Sequence, residues 1–258
     1  MKDKIVVGII SYLPDDPQLK LLRINRLNSL IKQINIIFNL PIMIIAQHWE
    51  GISLQEGTTK KPIIIHTYPQ GLGINKARMT LREKFIESEF EYMIMLDDDC
   101  KLIGNAQGGK RYIDEILAHP GGFCEFRPSL LKLFAISKDC YKLITLPEGG
   151  ADDKDPKKRY FEDMFLCITL KRLYPERRFK HKMGTDLLEL SDAAYDKGNT
   201  GWHKVYDENV NGRQWDRHDT GNQTRYMITN ATRENILDHS KLPRDGAILI
   251  ENFKYLNL

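Results

Sequence analysis

Three consecutive carboxylates, Asp97-Asp98-Asp99, follow directly on the apolar run Tyr92-Met93-Ile94-Met95-Leu96. Adjacent carboxylates repel, and each raises the cost of ionising the next. A divalent cation removes that cost, because hard cations prefer oxygen ligands. A cation held there would also neutralise charge developing on a diphosphate leaving group. Asp97 and Asp99 are two apart, so they face the same side if the strand continues through them. The plainer alternative is a set of acidic caps before a helix. A second group is Gly71-Leu72-Gly73-Ile74-Asn75-Lys76-Ala77-Arg78, a turn of small residues opening a helix. A helix N-terminus can receive diphosphate charge, and Arg78 offers a bidentate donor fork. A third is Tyr160-Phe161-Glu162-Asp163-Met164-Phe165-Leu166, an acidic pair at a helix start, where the dipole favours it.

The elements that must hold these groups are legible in the first hundred residues. The run Ile5-Val6-Val7-Gly8-Ile9-Ile10 reads as a strand buried on both faces. Residues 19–37 carry Leu22, Leu27, Leu30, Ile31, Ile34 and Ile37 at helical spacing, with Arg23, Arg26 and Lys32 among them. Pro41 stops that helix. Residues 42–46 and 63–65 are further strands, 74–90 a second amphipathic helix, and 92–96 a fourth strand. Strands separated by helices predict an α/β fold with a mainly parallel sheet flanked by helices. Ligands of such sheets sit outside the carboxyl ends of the strands. Ser11-Tyr12 and Asp97-Asp98-Asp99 both fall there. Beyond, 110–118 and 160–173 read as helices, and 123–127 and 131–137 as strands. From 184 to 225 the chain is rich in Gly, Asn, Asp and Trp, as in a functional loop region.

The composition excludes little but shapes the rest. Hydrophobic residues make up 41% and charged residues 28% of the 258 residues, an ordinary globular balance. Lys and Arg number 38 against 35 Asp and Glu, a net +3 that does not announce a nucleic-acid partner. Cys100, Cys124, Cys140 and Cys167 form no CxxC pair, so buried reduced thiols of a cytoplasmic protein are expected rather than a zinc site or disulfides. The most apolar stretch, 34–46, is interrupted by Asn35, Asn39 and Pro41, so no membrane span is expected.

On its motifs the sequence resembles the GT-A glycosyltransferases (Rossmann-like nucleotide-diphospho-sugar transferases), most closely the family 2 type. The strand ending in Asp97-Asp98-Asp99 matches that family's DxD motif. The segment from Gly71 to Arg78 resembles its turn leading into a helix carrying Ala-Arg. Glu162-Asp163 resembles its ED motif, about 65 residues further along. The resemblance covers residues 4–175. It implies Asp97 and Asp99 as metal ligands, Mn²⁺ or Mg²⁺ as the ion, and Ser11, Tyr12, Arg78, Asp97 and Asp98 on a nucleotide sugar, a UDP-sugar first among them. It implies Asp163 as general base beside Glu162, because an acceptor hydroxyl must lose its proton as it attacks the anomeric carbon. Such a base belongs to inverting members, although retaining members also carry DxD motifs. A later His often adds a metal ligand; of His181, His203 and His218, His203 is favoured. Trp202 and Trp215 are the acceptor-binding candidates, since aromatic faces suit sugar rings or bases.

The expected protein is therefore a single GT-A domain over 1–258. Residues 1–104 form the nucleotide-sugar half and 105–258 the acceptor half. The activity expected is hexosyl or pentosyl transfer to a saccharide, or to a hydroxymethylated or glycosylated DNA base as in phage DNA modification. Two basic clusters, 154–159 and 177–182, are compatible with DNA and equally with a solvated surface. A nucleotidyltransferase of similar fold would carry a Gly-rich basic loop after the first strand. Here that segment is Ser11-Tyr12-Leu13-Pro14-Asp15-Asp16. A non-catalytic sugar-binding module would not need both acidic motifs.

Overall fold

The computed structural model describes residues 4–49, 61–98, 100–124, 133–150, 153, 155, 158–181, 187–191 and 217–237. Within 187–191, 217–220 and at 222 the description is of the backbone.

Four parallel strands carry the carboxyl edge on which the acidic turn sits. They are β1 (Ile5–Tyr12), β2 (Ile42–Gln47), β3 (Ile63–Tyr68) and β4 (Tyr92–Asp97). The apolar runs of β1, β2 and β3 are rich in β-branched residues, which suit a pleated surface. β1 is central, pairing with β2 from Val7↔Ile42 to Tyr12↔Gln47 and with β4 from Ile5↔Tyr92 to Ile10↔Asp97. That register ends β1 and β2 together and sets Asp97, the end of β4, beside Ile10, two residues before Tyr12.

The sheet continues as β3-β2-β1-β4-β7-β6-β8, with β6 (Phe123–Cys124), β7 (Phe134–Ser137) and β8 (Arg178–Phe179). β7 alone runs against the others. The expected mainly parallel α/β sheet is thus present, with one reversed strand beside β4. A second, two-stranded sheet pairs β5 (Cys100–Gly104) with β9 (Leu187–Ser191). The sequence pattern did not predict it, because its stability comes from pairing between segments far apart in the chain.

Helices cover both faces. α1 (Pro17–Ile37) and α3 (Ala106–Ala118) bury Leu27, Leu30, Ile31, Ile34, Tyr112, Ile113 and Ile116 on one face, with Val7, Ile9, Ile94 and Leu96. On the other lie α2 (Ile74–Glu87), α4 (Lys138–Tyr141), α5 (Glu162–Leu173) and α6 (Arg217–Asn230), packed with Val6, Met93 and Met95. Each fully buried Leu, Ile or Phe contributes about 1.5–3 kcal/mol.

α1 begins where Asp16 accepts from the amides of Gln18 and Leu19, both at 2.9 Å, with Pro17 in the first turn where no amide is missed. It ends before Pro41, at Asn39, whose φ of 50° is a left-handed stop that Asn tolerates. All four cysteines, Cys100, Cys124, Cys140 and Cys167, are buried. Among the described residues no helix is long and apolar enough to cross a membrane.

Candidate functional site

The carboxyl ends of β1, β2 and β4 and the N-terminal turns of α2 and α5 meet at one place. Strand alternation sets the first feature. Met93 and Met95 face the α2 side of the sheet, and Ile94 and Leu96 the α1 side. At the end of β4, Asp97 meets Arg78 of α2, and Asp98 meets Arg23 of α1.

On the α2 side, Arg78 Nη2 donates to Asp97 Oδ1 at 3.0 Å. Its Nε lies 3.5 Å from Glu162 Oε1, an ion pair rather than a hydrogen bond. Burial alone would lower the proton affinity of Arg78, but the carboxylates of Asp97, Glu162 and Asp163 outweigh it and raise it. The sequence assigned this guanidinium to the diphosphate; in the structure it is buried and turned onto Asp97 and Glu162. Asp97 stays 27% exposed at the side chain. Asp163, next along α5, accepts from the Met164 amide at 2.7 Å. Burial pushes its carboxyl above the ordinary range, and nearby Asp97 adds to the rise. Arg78 and the Met164 amide pull it back. A carboxyl with raised proton affinity is a stronger base toward a hydroxyl.

On the α1 side, Asp98 is buried, with Oδ1 on Arg23 Nη1 and Oδ2 accepting from Ser11 Oγ at 2.7 Å. Ser11 and Asp98, both expected on the donor, here contact each other.

Tyr12 ends β1 and meets the ring of His48 edge-on at 5.1 Å. His48 follows β2 with a φ of 59°, a left-handed conformation uncommon outside glycine and asparagine. Gln47 Oε1 accepts from the Leu72 amide at 2.6 Å and so ties the end of β2 to the turn before α2. That turn needs glycine: Gly73, with φ of 78°, precedes the first residue of α2 and no side chain caps the helix.

No family model matches the chain, and no curated protein does. Among solved structures, it is similar to TarS of S. aureus (14% identity, TM-score 0.44, covering 71% of this chain and 36% of that one). It is also similar to a shorter form of TarS in complex with UDP-GlcNAc (11% identity, TM-score 0.37, 71% and 60%). A third is a protein of Desulfovibrio desulfuricans G20 proposed to be a nucleotide-diphospho-sugar transferase (7% identity, TM-score 0.40, 69% and 80%). The chain therefore spans 36% and 60% of the two TarS structures.

A groove of about 670 Å³ runs between the start of α2 and the loop leading to α5. Pro147 forms the joint: its carbonyl accepts from Asn75 Nδ2 at 2.6 Å and from the Tyr160 hydroxyl at 2.8 Å. Gly149, with φ of 107°, lies so close to the Lys158 carbonyl that a Cβ would sit 2.1 Å from it. The groove offers apolar faces from Leu72, Met79, Leu146 and Pro147, and charge from Lys76, Glu148 and Asp153.

Asp99, Trp202, His203 and Trp215 lie outside the described residues. Of the other histidines weighed, His181 pairs with Glu115 and packs edge-on against Tyr112, and the side chain of His218 is outside the description. Among the described residues, no three His, Cys, Asp or Glu side chains cluster around a metal position. Asp97 nevertheless has the character a Mg²⁺ or Mn²⁺ ligand needs: a hard, partly exposed carboxylate at the sheet edge.

Sequence reasoning missed Arg23, Gln47, His48 and Asn75. For Arg23 a signal existed. It sits at helical spacing with Leu27, Leu30, Ile31 and Ile34, so it lies on the buried stripe rather than the wet face.

Proposed function

We propose that the protein is a metal-dependent GT-A-type glycosyltransferase, moving a sugar from a nucleotide diphosphate sugar to a hydroxyl with inversion. One observation carries the reading. Three elements, β4 ending in Asp97, α2 carrying Arg78 in its second turn and α5 opening with Glu162-Asp163, converge on the Arg78 guanidinium at the carboxyl edge of the sheet, with Asp97 and Glu162 as its ion-pair partners. A structural acidic cap needs no such convergence.

In the proposed reaction the acceptor oxygen attacks the anomeric carbon, its proton passes to Asp163, and the bond from that carbon to the diphosphate breaks. Glu162 and Arg78 hold Asp163 and Asp97 at fixed spacing. Asp97, Asp99 and His203 are the residues proposed to hold Mn²⁺ or Mg²⁺, which would supply charge neutralisation at the diphosphate. Tyr12 is the proposed stacking partner of the nucleotide base, and Trp202 and Trp215 the acceptor's. UDP-sugars are the first donors to test. Residues 1–104 serve the donor and 105–258 the acceptor, in a bacterial cytoplasm or that of a phage-infected host.

The groove, lined by α2 residues of the donor half as well as by the 146–153 loop, suits a saccharide better than DNA. Its volume lies within the ordinary range for small-ligand sites, about 300–1,000 Å³. Glu148 and Asp153 oppose a phosphate backbone. Among the described residues, two cations of the loop are engaged within it: Lys158 Nζ lies 3.3 Å from Glu148 Oε2, and Arg159 Nε donates to the Asp153 carbonyl at 2.7 Å, while Lys76 lines the groove from α2. Apolar faces mixed with donors and acceptors suit a sugar ring.

The Asp163→Asn variant tests the base. Donor binding, read as thermal stabilisation by nucleotide sugar and Mn²⁺, stays at the wild-type level, while turnover falls roughly a hundred- to ten-thousandfold. Turnover within a few fold of wild type would remove Asp163 from the mechanism.

A further inference from the structure

Arg23 stands 75 residues from Asp98 in the sequence, yet it reaches that carboxylate from the α1 side of the sheet. The acidic turn is thus gripped from both faces. Arg78 of α2 takes Asp97, and Arg23 of α1 takes Asp98. Each grip falls where strand alternation puts it. Asp97 continues the face of Met93 and Met95, and Asp98 that of Ile94 and Leu96.

The two carboxylates are used differently. Both Asp98 oxygens are engaged by protein groups, one by Arg23 and the other by Ser11 Oγ at 2.7 Å. The residue is 8% exposed and the Arg23 side chain 9%. Asp97 keeps more than a quarter of its side chain open at the same edge. A buried ion pair costs desolvation that its attraction only partly repays, so it is weak evidence of stability and better explained by what it orients.

We propose that Arg23 is a positioning residue for the metal-binding turn. It holds Asp98 as an internal strut on the α1 side, and the strut fixes the backbone from which Asp97 faces the donor. Asp98 is then neither a metal ligand nor a donor contact. This rests on the glycosyltransferase reading of the site. A purely structural ion pair predicts something different, a loss of stability with metal and donor binding intact.

Direct Mn²⁺ titration by electron paramagnetic resonance separates the two. It is run beside circular dichroism and donor kinetics on the full chain and on Arg23→Met, Arg23→Lys, Asp98→Asn, Asp97→Asn and the Arg23→Met/Asp98→Asn pair. Arg23→Met should weaken Mn²⁺ binding roughly ten- to a hundredfold, the range for residues that orient a metal ligand, and raise the donor KM more than it lowers kcat. Arg23→Lys, which keeps the charge on Asp98, recovers part of the loss. Asp98→Asn costs less Mn²⁺ affinity than Asp97→Asn. The pair binds better than Arg23→Met alone, because no uncompensated carboxylate stays buried.

A folded Arg23→Met that binds Mn²⁺ and donor as the wild type does overturns the proposal. So does an Asp98→Asn variant as impaired as Asp97→Asn, which would make Asp98 a direct ligand. If Arg23→Met does not fold, that comparison of the two aspartate variants still decides. Wild-type protein that binds neither Mn²⁺ nor any nucleotide sugar removes the glycosyltransferase reading itself, and the strut's role with it.

Discussion

At the scale of single residues, the cluster around Arg78 carries the proposed chemistry and a cost in buried charge. Three carboxylates act on one buried guanidinium, so removing it takes the cation from Asp97 and Glu162. Arg78→Met should destabilise the protein by about 3–5 kcal/mol, the cost of breaking a buried pair. Chemical denaturation checks this, and a loss below about 1 kcal/mol would place the side chain in a wetter setting than the structure gives it. Asp163 brings a pH dependence. Its proton affinity is raised by burial first and by Asp97 second. A base must be ionised to accept a proton, so activity is present at high pH and lost as pH falls through the raised value. The acid limb of kcat/KM should therefore lie above the ordinary aspartate range. A limb at the ordinary value, or one unmoved in Asp163→Glu, would assign it to another group. The same folded carboxyl, holding its proton more tightly than in the unfolded chain, favours folding at low pH and loses that contribution as pH rises through the raised value.

At the scale of elements, the pieces that position the site follow local rules that can be tested alone. Asp16→Ala removes the carboxylate oxygen that accepts from two backbone amides at the start of α1 and should cost about 1 kcal/mol, or a fall in Tm of about 2–4 °C, with donor KM unchanged. A matching loss of donor binding would mean that α1's first turn reaches the site. Much of this layer was readable beforehand. The apolar runs located β1, β2 and β4, and the stripe from Leu27 to Ile37 located α1. What was not readable came from contacts distant in sequence. β1 and β3 extend past their apolar runs, to Tyr12 and Tyr68, because in-register pairing with Gln47 supplies the hydrogen bonds. α3 starts at Ala106, ahead of the expected 110, despite Gly108 and Gly109. Asn105 caps it, and Gly109 is packed so closely that a Cβ would lie 2.1 Å from the Ile37 carbonyl. For the site, residue types pointed to Asp97, Glu162 and Asp163. The inward turn of Arg78 and the Arg23–Asp98 pair were not legible, since strand alternation selects a partner only once the helices are in place.

At the scale of the whole molecule, the described basic segments bear on the proposed choice of a small acceptor over a polyanion. The basic segment from Arg177 to His181 is knitted into the sheet edge. Arg177 donates to the Gly121 carbonyl at 3.0 Å, Phe179 is buried against His119, and His181 pairs with Glu115. Acceptor binding should accordingly depend weakly on salt. A steep fall in affinity with salt, the mark of released counterions, would favour DNA. The most direct test of the central claim is a panel of nucleotide sugars, offered with and without Mn²⁺ or Mg²⁺ and scored for nucleoside diphosphate release and thermal stabilisation. At least one donor should raise Tm only with metal, as a ligand of the native state does, and release its nucleotide. Asp97→Asn should lose both effects. No shift and no release with any donor would contradict the account.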